Sequence, residues 1–189
     1  VTPPKSDGSH LVLIQMSNDY VYTFNLNSTG LNFVNVFDPF YATHSPSQHD
    51  GKSLRRSELE IIPFGSGYRI AGGFAGGIDV YDGLFTYDVN ASGNYITNTR
   101  QIYAFDQGTG KVYMKGIEFS PNGELIYVTH TTNNHYTKAI SCVDISTWNT
   151  VSLTNISVAQ AADFQYSQLE LAEDGKIYAA TSNRLASIN

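Results

Sequence analysis

The chain has 189 residues, with 41% apolar, 13% aromatic and 15% charged side chains, against about 25% charged in an average domain. That composition is globular and excludes disordered and fibrous classes. Eleven Lys and Arg against seventeen Asp and Glu leave a net charge of -6, so no basic field exists to hold a phosphate backbone and nucleic acid is not expected as a partner. Apolar runs such as Leu11 to Ile14 fall far short of the roughly 20 residues a helix needs to cross a bilayer, so no membrane span is expected.

Residues 1–9 hold two prolines and no basic segment leading into an apolar stretch, which reads as no signal peptide. From residue 10 onward the apolar positions alternate and are rich in Val, Ile, Tyr, Phe and Thr, the types that suit a pleated, half-buried surface. Turn signals follow at short intervals: Asn27 to Gly30, Ala91 to Asn94, Gln107 to Gly110, Asn122-Gly123 and Asp174-Gly175. The last two favour positive φ and mark hairpin tips. No segment offers a capped helix of ten residues or more; the best candidate, Val158 to Gln168, is too polar and too short. A single cysteine, Cys142, sits among β-branched neighbours and reads as a buried thiol.

The chain repeats itself. The segment GIEFSPNGELIYVTH, residues 116–130, is echoed by QLELAEDGKIYAAT, residues 168–181, and upstream by ELEIIPFGSGYRIAGG, residues 58–73. Each copy reads strand, Gly-containing hairpin, strand. A second element, YTFNLNSTG at 22–30, recurs as FTYDVNASG at 85–93 and as ISCVDISTW at 140–148. Together they make a four-stranded unit of about fifty residues, the size of a β-propeller blade. The expected fold is therefore all-β: a partial β-propeller of about three to four four-stranded antiparallel blades. Its parts are an incomplete blade at 10–37 lacking an innermost strand, a polar loop at 38–57, blades at 57–105 and 111–158, and a piece at 166–189 lacking an outermost strand. Three and a half blades cannot close alone, so a second copy, or the remaining blades of a longer chain, is an expected partner.

The repeat also carries the strongest candidate site. Glu60, Glu118 and Glu170 hold the same place in their copies, each between two apolar residues on an innermost strand. Period two puts all three on one equivalent face. They either gather a cation or polar ligand in the central channel, with calcium the cation such oxygens suit and His130 assisting, or lie between blades and accept hydrogen bonds from backbone amides or an arginine such as Arg69. His130 and His135 are separated by four residues, and His44 and His49 lie in the long loop; no zinc-ligand spacing occurs. Asp79 and Asp82 lack the spacing of a dedicated calcium loop and read as turn aspartates. Gly72, Gly73, Gly76 and Gly77 form no phosphate-binding pattern and allow bends. No nucleophile elbow is present. Tyr41, Tyr136 and Trp148 are aromatics suited to stacking on a sugar or a partner. N-x-S/T triplets begin at Asn27, Asn90 and Asn155, and matter where the host glycosylates.

The hairpins at 116–130 and 168–181 resemble the "F-S-P-[DN]-G-x-x-[LI]-Y-V" hairpins of lactonase-like and WD40-like propellers. With residues 1–24 and 85–93 they fall in the order found in propeller domains of secreted and surface proteins of Bacteroidetes. The resemblance implies a noncatalytic binding or scaffolding module, extracellular or at the cell surface, taking a protein or carbohydrate ligand. The alternative is a lactonase-like or other metal-assisted hydrolase, with Glu60, Glu118 and Glu170 as metal ligands or acid/base groups. The resemblance carries over no catalytic residue.

Overall fold

The computed structural model describes residues 1–2, 4–15, 20–37, 58–74, 83–97, 99, 101–104, 112–132, 138–151, 168–180 and 185–188. All regular structure among them is strand, arranged as four antiparallel sheets. Sheet 1 is β1 (His10–Gln15), β2 (Val21–Asn27) and β3 (Gly30–Phe37). Sheet 2 is β4 (Leu59–Phe64), β5 (Gly67–Phe74), β6 (Gly83–Asn90) and β7 (Gln101–Ala104). Sheet 3 is β8 (Val112–Phe119), β9 (Leu125–Thr132), β10 (Lys138–Asp144) and β11 (Asn149–Val151). Sheet 4 is β12 (Leu169–Leu171), β13 (Ile177–Ala180) and β14 (Leu185–Ile188). Within each sheet the strands run in chain order. Val158 to Gln168 and residues 38–57 lie outside the described residues, apart from Gln168 itself.

The sheets stack face to face in chain order, because the inner strands carry apolar residues on both faces. The forward face of sheet 1, with Leu11, Leu13, Val21 and Phe37, packs on the rear face of sheet 2, with Ile61, Ile70, Phe85, Tyr87 and Val89. Phe37 stacks on Tyr95 and meets Tyr87 edge-on, both at 5.3 Å between centroids, in the offset and edge-to-face geometries that aromatic rings favour. The forward face of sheet 2 (Ile62, Ala71, Leu84) meets the rear face of sheet 3 (Met114, Ile117, Phe119, Ile126, Val128, Val143). The forward face of sheet 3 (Tyr127, Ile140) meets the rear face of sheet 4 (Leu169, Ile177, Ala179, Ala186, Ile188). Seven consecutive residues of β6, Gly83 to Val89, are buried as a result; a strand covered on both faces loses the polar alternation of a surface strand.

The leading edge strands β4 and β8 adjoin each other, as do β8 and β12. These are the innermost strands of consecutive blades, and the arrangement is a partial β-propeller. Hairpin chemistry sets the joints. Gly123 and Gly175 have φ of 70° and 77°, and the side chains of Asn122 and Asp174 accept the backbone N–H two residues on, a local bond that stabilises the turn.

The same turn occurs once more, at Lys5–Ser9. The Gly8 N–H donates to Lys5 O and the Lys5 N–H to Ser9 O, as Gly175 donates to Ala172 O and Ala172 to Lys176 O. Asp7 accepts the Ser9 N–H as Asp174 accepts that of Lys176. Beyond this turn the Thr2 N–H donates to Leu11 O at 2.9 Å, and the Leu11 N–H to the Thr2 hydroxyl at 2.9 Å. Thr2 and the turn at Lys5–Ser9 thus lie along the inner edge of β1, where the sequence reading leaves no innermost strand.

One buried group works against the packing. The Tyr87 side chain is fully buried, and its hydroxyl meets no hydrogen-bond partner among the described residues. An unpaired buried hydroxyl costs about 1–3 kcal/mol. Tyr87→Phe keeps the ring contacts and removes that cost, so it raises stability in urea unfolding; a loss of stability shows that the hydroxyl is satisfied.

Candidate functional site

The inner edge of the sheets is where the carboxylates collect. β4 carries Glu60 and, one residue before the strand, Glu58; β8 carries Glu118 and β12 carries Glu170. Alternation places Glu58 and Glu60 on the forward face of sheet 2 with Ile62, and Glu118 on that of sheet 3 with Tyr127, its register partner. Just before Glu118 a bulge between Met114 and Ile117 shifts the register of β8 against β9, and the Thr129 hydroxyl accepts the Gly116 N–H at 2.8 Å. Bulges of this kind re-aim the side chains beyond them.

Glu118 is buried, and both its oxygens are engaged. Oε1 accepts the N–H of Phe119 at 2.9 Å, and Oε2 accepts the N–H of Leu171 on β12 at 2.9 Å. The second bond crosses from one sheet to the next. Glu58 is turned toward the same kind of donor, the backbone amide of Ile117 on β8, while its Oε2 is buried without a partner among the described residues. Glu170 is exposed.

Crowding of like charges in a partly desolvated site raises carboxyl pKa values. Burial, followed by the charges of Glu118, Glu58 and Glu170, pushes Glu60 up from 4.5 to about 8. Burial pushes Glu118 up to about 7, against the two amides that favour its charged form. Glu58 is raised by burial as well, opposed by the Ile117 amide and reinforced by Glu170. Neighbouring carboxylates thus act on Glu58, Glu60 and Glu118, yet among the described residues no group of three or more His, Cys, Asp or Glu side chains is placed to hold a metal ion.

The register of the repeat differs from the sequence comparison. Glu118 and Glu170 both stand two residues before the pair that opens their hairpin, Ser120 with Leu125 and Ala172 with Lys176. In sheet 2 that pair is Phe64 with Gly67, so Ile62 occupies the matching place and Glu60 lies two residues deeper. Counting through the turn glycine hides this, because the three hairpin loops differ in length. An even displacement keeps Glu60 on the same face. Glu58, which the comparison passed over, lies on that face by the same rule: it alternates with Glu60 around Leu59.

Other candidates resolve differently. Arg69 pairs with Asp88 rather than with the glutamates, through Nε at 2.7 Å and Nη2 at 3.0 Å, and its guanidinium lies 3.5 Å from the centre of the Phe64 ring. The two residues are register partners on β5 and β6, so they pair within one sheet. Trp148 packs against the core between sheets 2 and 3, held at a φ of 55° by a turn that Asp144 closes. Cys142 is buried, and burial pushes its thiol up to about 11. His130 is on β9 opposite Met114 and Ala139; its side chain lies outside what the structure describes. So do His44, His49, His135, Asp79, Asp82, Tyr41, Tyr136, Asn155, Gly76 and Gly77. Asn27 and Asn90 cap their own turns through Oδ1.

Two expectations follow. With Glu60 and Glu118 titrating at about 8 and about 7 in the folded chain against 4.5 ordinarily, the native state binds more protons than the unfolded state between those values. Stability is then full below pH 4.5 and falls as pH rises toward 8. Glu60→Gln removes the larger contribution, so urea midpoints measured from pH 4.5 to 8.5 slope less steeply than in the wild type; an unchanged slope contradicts the account. Glu118→Ala strips the acceptor from a buried amide and lowers stability by about 1–3 kcal/mol, read by urea unfolding at pH 6.

No protein-family model and no curated protein matches the chain. A solved structure described as that of the Dos1 propeller is similar over 93% of this chain and 40% of its own, at 13% identity and a TM-score of 0.50. The chain thus spans well under half the length of that propeller. At this identity the likeness shows the fold alone: an all-β chain built as a partial β-propeller.

Proposed function

We propose that the chain is a noncatalytic binding and scaffolding module of a secreted or cell-surface protein, taking a protein or carbohydrate ligand. The observation that carries this reading is the bonding of Glu118, whose two oxygens hold backbone amides of β8 and β12. A carboxylate spent on joining two blades is not free to ligate a catalytic metal or attack a substrate. Propeller rims and channel mouths offer loops that vary without disturbing the stack beneath.

One observation favours the second reading, a lactonase-like or other metal-assisted hydrolase. Among the described residues Glu60 accepts no backbone amide, and burial pushes it up to about 8, where a buried acid suits proton transfer. In this reading Glu60, Glu118, Glu170 and His130 gather around a cation such as calcium or a polar substrate.

Two assays on the whole chain separate the readings. The binding module gives saturable binding on an oligosaccharide and extracellular-protein array that survives Glu60→Gln. It also gives no turnover of a lactone and aryl-ester panel in millimolar calcium, zinc or manganese. Turnover abolished by Glu60→Gln, with no saturable binding on the array, overturns the proposal in favour of the hydrolase.

A further inference from the structure

Two turns carry the Asn-Xaa-Ser/Thr pattern that accepts an N-linked glycan, and the fold treats them differently. Asn27-Ser28-Thr29 joins β2 to β3, and Asn90-Ala91-Ser92 follows β6. The third triplet, at Asn155, lies outside the described residues. Glycan transfer asks three things of an acceptor. The amide nitrogen has to be reachable, and the surface around it needs room for a bulky polar group. The nitrogen also has to be activated, because its lone pair is delocalised into the carbonyl; hydrogen bonds donated to the amide oxygen make the N–H more acidic.

Asn27 meets all three. Asn27, Ser28 and Thr29 are exposed at the tip of their hairpin. Asn27 Oδ1 accepts the Thr29 N–H at 2.9 Å and the Thr29 hydroxyl at 2.7 Å, with Asn32 Nδ2 a third donor at 3.4 Å. A backbone N–H points at the oxygen end of an amide, so Nδ2 faces away from the turn. Among the described residues that nitrogen makes no hydrogen bond, while the oxygen beside it takes three. All the partners lie within residues 27–32, so the hairpin forms the arrangement without help from the neighbouring sheets.

Asn90 is built into the stack instead. Its Oδ1 accepts the N–H groups of Ser92 and Asn94, both at 3.0 Å, and takes no bond from the Ser92 hydroxyl among the described residues. Asn90 is half-buried and Gly93 is buried. The Gly93 carbonyl accepts the Thr23 hydroxyl at 3.1 Å, and an added Cβ there would press on Thr23 and Leu11 of sheet 1. A glycan at this turn would compete with the packing of one sheet on the next.

We propose that Asn27 is the acceptor of an N-linked glycan and that Asn90 is a turn-capping residue that stays unmodified. In the transfer, Asn27 Nδ2 forms a bond to the anomeric carbon of a diphosphate-activated saccharide. The bond from that carbon to the diphosphate oxygen breaks, its electron pair leaves on the diphosphate, and the proton lost by Nδ2 passes to a basic group of the transferase. Thr29 is a positioning residue, since it acts through the Asn27 amide. The inference rests on the secreted or cell-surface reading for its setting, because the activated saccharide is met during export.

Expression of the whole chain behind an exchangeable export leader in cultured animal cells, with mass spectrometry of the secreted protein's peptides, tests it. The Asn27 peptide carries a glycan in most molecules, and the Asn90 peptide is recovered unmodified. Thr29→Ser keeps the glycan and Thr29→Val loses it, with the circular dichroism of both variants unchanged. An exported chain with Asn27 bare overturns the proposal. So does modification of Asn90 to the same extent as Asn27, or a Thr29→Val variant that keeps its glycan. The leader supplies export wherever the chain resides, and binding to the array does not depend on it, so this inference and the binding-module reading fail separately.

Discussion

An edge strand presents backbone amides that its own ladder leaves unpaired, and a stack of sheets turned about a common axis brings several such edges together at its centre. Each amide buried there needs an acceptor that the neighbouring strand can supply. Between β8 and β12 the acceptor is a glutamate: Glu118 takes the Leu171 N–H. Among the described residues no backbone carbonyl of the adjoining sheet spans that gap, and the carboxylate does. The same edge buries carboxyls beside one another, and burial first, with like charge second, pushes Glu60 and Glu118 up to about 8 and about 7. Cohesion between blades and an elevated carboxyl pKa are two results of one arrangement.

Apolar packing supplies the bulk of the stacking. Three clusters alternate with the four sheets, and places where backbone must approach closely are held by small residues. At Gly93, an added Cβ would press on Thr23 and Leu11 of the neighbouring sheet, and the Thr23 hydroxyl donates to the Gly93 carbonyl at 3.1 Å. At Gly67 the obstacle is the backbone of β6, with the Val89 carbonyl directly in the way. Sheets spaced this closely give sheets 2 and 3 two buried faces each.

Much of the architecture is legible in the sequence because it depends on short-range chemistry. Alternation of β-branched and aromatic residues, Gly at the tips of the 120–125 and 172–176 hairpins, and the twofold recurrence of strand-turn-strand are enough to reach stacked four-stranded sheets. The parity of the glutamates is legible too, since a face survives any even shift. Their register is not. It depends on the lengths of three hairpin loops, and the sequence aligns on the turn glycines. The fourth copy of the turn at Lys5–Ser9 escapes because its first arm holds two prolines in place of an apolar strand. The pairing of Arg69 with Asp88 required knowing that β5 and β6 are neighbours in that register, and Glu58 is visible only once the innermost strand is known to begin beside it. Trp148 looks like a surface aromatic in sequence, but a positive φ folds it back onto the core.

The most direct test is native-state hydrogen exchange at the Leu171 amide, followed by NMR. β12 is three residues long and lies at the edge of its sheet, so an amide pointing away from β13 exchanges rapidly unless something outside the sheet accepts it. The account predicts strong protection of Leu171 in the wild type and its loss in Glu118→Ala, with the amides of β9 still protected. Protection of Leu171 that is absent from the wild type, or untouched by the substitution, contradicts the claim that a carboxylate joins one blade to the next.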